Sequence, residues 1–264
     1  MRIPYFVVDA FTGEAFRGNP AGVCPLESWL PDSLMQAIAA ENQLSETAFF
    51  VRGGDHYALR WFTPSTEVNL CGHATLATAH VLFAHLGALT PRLEFRTHSG
   101  PLFVERKEGR LVMDFPALPA TPRPVDDALV AALGIRPAEA LAEEDLYAVL
   151  PDAASVRAVT PDLAAVAALG GRGVVITAPG EDCDFVSRFF APASGVDEDP
   201  VTGSIHCSLV PYWAARLGKT RFHARQLSAR GGELFCTLDG PRVEIAGSAH
   251  DYLQGHLNLP DAWD

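Results

Sequence analysis

Paired cysteines, basic charge and long apolar runs are all scarce in this sequence, and each scarcity excludes something. The five cysteines, Cys24, Cys71, Cys183, Cys207 and Cys236, are scattered and form no CxxC pair. That argues against a zinc knuckle or a disulfide framework and for a reducing compartment. No stretch approaches the roughly 20 apolar residues of a membrane helix. The opening "MRIPYFVVDAF" has one Arg and too short an apolar run for a signal peptide, so a cytoplasmic protein is expected. Lys and Arg number 20 against 32 Asp and Glu, a formal charge of −12. Nucleic acid and anionic membrane both select basic surfaces, so neither is expected as a partner. "GRGVV" and "ARGGEL" are glycine turns without the spacing of a phosphate loop. No HxxxH accompanies the close pair Cys71 and His73, so no metal is expected.

What is present is a repeat. The 264 residues are 48% hydrophobic, enough for one large domain or two ordinary ones. "EVNLCGHATLATAHVLFAHLG" begins at Glu67 and "EDPVTGSIHCSLVPYWAARLG" begins at Glu198. Gly72 matches Gly203 at a shift of 131 (203 − 72), and the closing Gly87 matches Gly218 at the same shift. Upstream, "RWFTP" at Arg60 matches "RFFAP" at Arg188 at a shift of 128 (188 − 60). Downstream, Gly100 matches Gly232 at 132 (232 − 100). Three blocks in one order with small shifts predict two copies of one plan.

Each copy reads as aromatic and β-branched strands around one helix. The first helix, from Gly72, is apolar on nearly every side and is expected to be buried all round. The second is expected to be interrupted at Pro211. "PALPATPRPVDD" is dense in proline, so a linker is expected from Pro116 to Pro124. The fold class is α+β: two pseudo-symmetric domains, residues 1–117 and 118–264, each a curved, mainly antiparallel sheet wrapped around a central apolar helix. The last residues are a candidate to pack back on the first domain.

Both copies deliver a strand, a proline turn and a helix start, at "CGHAT" and "TGSIH". Helix N-termini offer free amides and partial positive charge, and glycine admits close approach of a ligand. If the halves face each other, Gly72 and Gly203 bound an anion site suited to a carboxylate and to enolate-like charge. The side chains at the two starts differ: Cys71 and His73 in the first, Asp199 and Ser204 in the second. Glu46, in "NQLSETAFF", precedes a wholly apolar run; desolvation of such a carboxylate suits it to taking and giving a proton.

These stretches resemble the PhzF-like (phenazine biosynthesis) family, of diaminopimelate-epimerase-like fold. The resemblance covers essentially the whole chain and rests on "VDAFTGEAFRGNPAGV", "LSETAFF", "RWFTPSTEVNLCGHATLATA" and "EDPVTGSIHCSL". It implies a cofactor-free isomerase, usually a homodimer, moving a proton within a small anionic, carboxylate-bearing substrate. In that family the glutamate matching Glu46 is the acid/base residue, and the positions matching His73, Asp199 and Ser204 surround the same interdomain cleft. Related racemases use one cysteine from each helix start. Cys71 resembles the first, but the second start has no thiol, which disfavours two-thiol racemisation.

Each residue also has a plainer reading. Glu46 alone would be an ordinary helix-end acid, His73 a first-turn histidine bonded to backbone, Asp199 a cap. Asn19 in "GNP" is a turn former that also suits the cleft. Ser204 has no base at useful spacing and reads as a hydrogen-bond donor. Gly72 and Gly203 would act through their amides. His80, His85 and Cys207 read as core or helix-surface residues. Two other readings remain: a non-catalytic ligand-binding or interaction protein on the same fold, and a Cys71-dependent racemase, epimerase or hydrolase.

Overall fold

The computed structural model describes residues 1–260 and Trp263. The chain divides into two compact units: Met1–Asp114 together with the chain from Ala246 on, and Phe115–Ile245.

The first unit opens with β1 (Arg2–Ala10) and β2 (Asn19–Leu26), then α1 (Asp32–Asn42), β3 (Glu46–Gly53), β4 (His56–Phe62) and β5 (Glu67–Val68). The helix α2 (Gly72–Ala84) precedes β6 (Arg92–Thr97), β7 (Gly100–Lys107) and β8 (Arg110–Pro116). β2 runs parallel to β3, β3 antiparallel to β4, and β4 pairs antiparallel with β5 and parallel with β6. The hairpin between β7 and β8 closes in two residues, Glu108 and Gly109, at φ 52° and 78°. Two positive φ angles are what a type I′ turn requires. α2 lies against β1, β2 and β3, and every residue from His73 to Ala79 is buried. The all-round apolar pattern of this helix therefore does mark a central element.

The second unit contains β9 (Thr121–Arg123), α3 (Asp127–Leu133), β10 (Glu139–Ala142), β11 (Leu146–Val149), α4 (Ala153–Ala158), α5 (Leu163–Ala168) and β12 (Val174–Pro179). There follow β13 (Phe185–Ala191), β14 (Val196–Asp199), α6 (His206–Leu217), β15 (Arg221–Gln226), β16 (Gly232–Asp239) and β17 (Arg242–Gly247). α3, α4 and α5 are short helices, each opened by an aspartate, Asp126, Asp152 or Asp162, that accepts a backbone N–H. The last strand, β18 (Ala249–Asn258), pairs antiparallel with β1 and so belongs to the first unit.

The pairing repeats as the sequence does. β11 is parallel to β12, β12 antiparallel to β13, and β13 pairs antiparallel with β14 and parallel with β15. A charged fork repeats too. Arg60 on β4 gives two hydrogen bonds to Glu67, both 2.7 Å, and Arg188 on β13 gives two to Glu198, at 2.7 and 2.9 Å. Each fork ties a core strand to the short strand that leads toward the helix.

Two expectations need correction. The proline-rich stretch is no free linker: Ala117 donates to the Pro241 carbonyl, Leu118 to the Cys207 carbonyl, and β9 pairs with β10. Pro122 stands opposite Leu141 in this three-residue ladder. The helix α6 also runs through Pro211 without interruption. Proline cannot donate to the carbonyl four residues back, that of Cys207, and the Leu118 N–H takes that acceptor at 2.9 Å. Among the described residues no helix is long and apolar enough to cross a membrane.

Candidate functional site

In the first unit, three separate segments converge on α2's first residues. Asp9 is buried, and its carboxylate accepts the Phe16 N–H at 3.1 Å, folding residues 11–18 into a compact loop. Gly18 closes this loop at φ +67°, where an added Cβ would come within 2.2 Å of the Ala10 carbonyl oxygen. Asn19 follows as the first residue of β2, fully buried. Its Nδ2 lies 3.2 Å from His73 Nδ1. Glu46 is the first residue of β3, reached from α1 through Gln43 in a left-handed cap at φ 51°. Its Oε2 lies 3.2 Å from His73 Nε2.

These contacts fix the imidazole. An amide N–H from Asn19 can only donate, so Nδ1 accepts and the proton of the neutral ring sits on Nε2. Nε2 lies beside the Glu46 carboxylate, in close contact but not aligned as a hydrogen bond. Burial pushes the His73 pKa down to about 3, so the ring is neutral at physiological pH. His73 side-chain exposure is 5% and that of Glu46 is 17%, leaving the carboxylate as the reachable member of the pair.

Cys71 precedes the helix in extended conformation, buried, with Sγ 3.5 Å from His73 Nδ1. Glu46, Cys71 and His73 each place a ligand-type atom within 4.8 Å of the others. Cys71 approaches Nδ1 and Glu46 approaches Nε2, and the two ring nitrogens point apart. One ion would have to choose between them, so this cluster is poorly shaped for a metal. The Cys71 side chain makes no cap hydrogen bond to α2, whose first turn opens with the amides of Gly72 and His73.

The second unit is built differently around its glycine. α6 starts at His206, three residues beyond Gly203, whereas Gly72 is the first residue of α2. Gly203 to Ile205 instead form a tighter turn, with His206 N–H to Gly203 O and Cys207 N–H to Ser204 O, both 3.0 Å. Asp199 ends β14 and its carboxylate accepts the Thr202 hydroxyl. Gln226, fully buried, braces the same turn: its Oε1 accepts the Thr202 N–H and its Nε2 donates to the Asp199 carbonyl, both at 2.8 Å. Thr202 stands where the first copy has Cys71.

One residue was passed over in the sequence. Arg172, in the "GRGVV" turn, donates from Nη1 to Ser204 Oγ at 3.1 Å. Its Nε and Nη2 hold the carboxylate of Asp145, which is buried, while the Arg172 side chain is 30% exposed. The β-sheet register makes this pairing meaningful. Phe49 faces Arg60 in the first copy, and Ile176 faces Arg188 in the second. On that register Glu46 corresponds to Gly173, the neighbour of Arg172, just as His73 corresponds to Ser204. Each unit therefore sets a charged residue at the mouth of equivalent strands against the residue after its glycine: Glu46 with His73, Arg172 with Ser204. Only a comparison of the two copies strand by strand could have exposed Arg172, because Asp145, Arg172 and Ser204 are far apart in sequence.

Comparison with known proteins agrees with this architecture. A family model described as phenazine biosynthesis-like protein matches residues 8–255. An uncharacterized isomerase of Pseudomonas aeruginosa is 55% identical, covering 98% of this chain and all of that protein. The crystal structure of a PhzF-family phenazine biosynthesis protein from Enterococcus faecalis superimposes with a TM-score of 0.96 at 49% identity, covering 98% of this chain and all of the other. A hydroxyproline epimerase from Agrobacterium vitis, 11% identical, shares the fold with a TM-score of 0.65 over 98% of this chain and 93% of that one.

Proposed function

Because the chain belongs to the phenazine biosynthesis-like family, we propose that it is a cofactor-independent isomerase that moves a proton within a small carboxylate-bearing substrate. The observation that carries this reading is the Glu46 carboxylate set 3.2 Å from His73 Nε2.

Glu46 is the acid/base residue. It accepts the proton as the substrate C–H bond breaks. The electron pair shifts along the conjugated system, and the proton returns to a different carbon of the same molecule. His73, neutral because burial lowers its pKa to about 3, is not the proton carrier at neutral pH. Its Nε2 lies 3.2 Å from one Glu46 oxygen, close enough to align as a donor to it once substrate is bound while the other oxygen works, and Asn19 fixes the tautomer that puts the proton there. The first-turn amides at Gly72 stabilise the developing negative charge.

Asp199 and Ser204 serve the same reaction from the second unit. Arg172 donates to Ser204 Oγ, which leaves the Ser204 hydroxyl proton to be given to an acceptor, as a substrate carboxylate or enolate oxygen would require. Gly203 and its turn amides add further donors. The protein acts as a homodimer, to be checked by light scattering. Its substrate partner is small and anionic.

The test is solvent deuterium uptake. Wild type and Glu46→Gln are incubated in D₂O with a panel of unsaturated and hydroxylated carboxylic acids. Uptake that Glu46→Gln lowers by about 10²–10⁴-fold, with unchanged thermal stability, is expected. Undiminished exchange in that variant would refute the role of Glu46. A second reading rests on Cys71, 3.5 Å from His73 Nδ1, as a catalytic thiol. Exchange lost in Cys71→Ser and kept in Glu46→Gln would favour it. Binding of a panel compound without any exchange would favour a ligand-binding protein.

A further inference from the structure

At the opposite end of α2 from Glu46 and His73, a second cluster has formed. His80 lies in the penultimate turn and His85 is the residue that caps the helix, with Gly87 at φ +67° turning the chain away just beyond. Both imidazoles reach one atom: His80 Nε2 and His85 Nε2 are each 3.0 Å from Oδ1 of Asp251 on β18. A register shift in the β1–β18 ladder places this aspartate. Val7 faces Leu253 and Val8 faces Asp251, so Tyr252 is the extra residue of a bulge. Bulges commonly re-aim a side chain in this way. Phe6 packs its ring against His85, with centroids 5.1 Å apart, restricting the imidazole.

We propose that His80, His85 and Asp251 form a binding site for a borderline divalent transition metal, with Zn²⁺ as the best fit. Two imidazoles and one carboxylate are a ligand set that zinc takes, with water in the fourth position. The geometry is nearly ready. Ligand atoms 2.0–2.1 Å from a tetrahedral zinc lie about 3.3 Å apart; here the two nitrogen-to-oxygen separations are 3.0 Å and all three atoms fall within 4.8 Å of one another. Entry is open, since the histidine side chains are each 21% exposed and that of Asp251 is 46% exposed. Binding would staple α2 to β18, the strand that brings the chain back into the first unit. Sequence spacing hides the site: two histidines five apart are not an HxxxH pair, and the third ligand comes from a strand more than 160 residues away.

Co²⁺ titration of the full-length protein tests this, read by visible ligand-field absorption and by equilibrium dialysis. One Co²⁺ per chain is expected, displaced by one Zn²⁺, with no thiolate charge-transfer band. His85→Gln and Asp251→Asn should each weaken binding at least tenfold, and Cys71→Ser should leave it unchanged. Absence of stoichiometric Co²⁺ binding to the wild type would overturn the proposal without reference to any variant. Binding that persists in both His85→Gln and Asp251→Asn, or that disappears in Cys71→Ser, would overturn it as well.

Discussion

Acid should destabilise the second unit through one histidine. His206, the first residue of α6, is completely buried. Its Nδ1 donates to the Thr202 carbonyl at 2.9 Å, and its Nε2 meets no hydrogen-bond partner among the described residues. Protonation would place a charge and a second N–H in that apolar pocket, beside the Phe185 ring at 5.8 Å. Burial accordingly lowers the pKa to about 4, against a smaller opposing effect of the Thr202 and Gly203 backbone. The folded pKa lies below the unfolded value of about 6.5, so the unfolded chain binds the proton more tightly. The associated stability is therefore intact above pH 6.5 and is lost as the pH falls toward 4. At pH 4.5 the loss from this single group amounts to about 2.5 kcal/mol. Urea unfolding followed by fluorescence would measure it, with Trp213 as a local reporter because its ring stacks on Phe185 at 5.7 Å. His206→Asn keeps a side-chain N–H near the Thr202 carbonyl and removes the titration. The variant should start less stable at pH 7.5 and then lose about 2.5 kcal/mol less than wild type on going to pH 4.5. Equal losses in the two proteins would refute the argument.

Other perturbations follow from the same contacts. Asn19→Ala removes the donor that fixes the His73 tautomer and should lower exchange about 10–100-fold, mainly in kcat; an unaffected rate would show that Cys71 or the backbone suffices to hold the ring. Asp145→Asn takes the counter-charge from Arg172 and should cost about 2–3 kcal/mol in urea unfolding, less than a fully buried pair because Arg172 is 30% exposed. Arg188→Met breaks the fork to Glu198 and the bond to the Val159 carbonyl, and about 2–4 kcal/mol of destabilisation is expected from the same measurement. Cys71→Ser should change turnover only a few-fold, with iodoacetamide inactivating the wild type slowly because the thiol is buried.

How far the residues alone could lead depends on whether an interaction is written locally. The burial of α2 was legible because "GHATLATAHVLFA" is apolar around its whole circumference, and the repeat because its glycines recur at nearly constant shifts. The nearness of Glu46 and His73 could be expected only from the family resemblance, since 27 residues and three strands separate them. Pro211 misled because a helix interior normally cannot spare the Cys207 carbonyl's donor; nothing local announces that Leu118 supplies it. The proline-rich stretch misled for the same reason, since its amides find acceptors on α6 and beyond β16. Arg172 stayed hidden for a deeper cause. The two copies match best at their glycines and core aromatics, which keep the fold, and diverge at the strand mouths. There an acid in one copy is answered by a cation in the other. Packing asks for likeness between the duplicated halves only where side chains enter a core, and the strand mouths lie outside that demand. The repeat fails at Glu46 against Gly173, the neighbour of Arg172, and at His73 against Ser204, so within each unit the residue after the glycine meets a different charged partner.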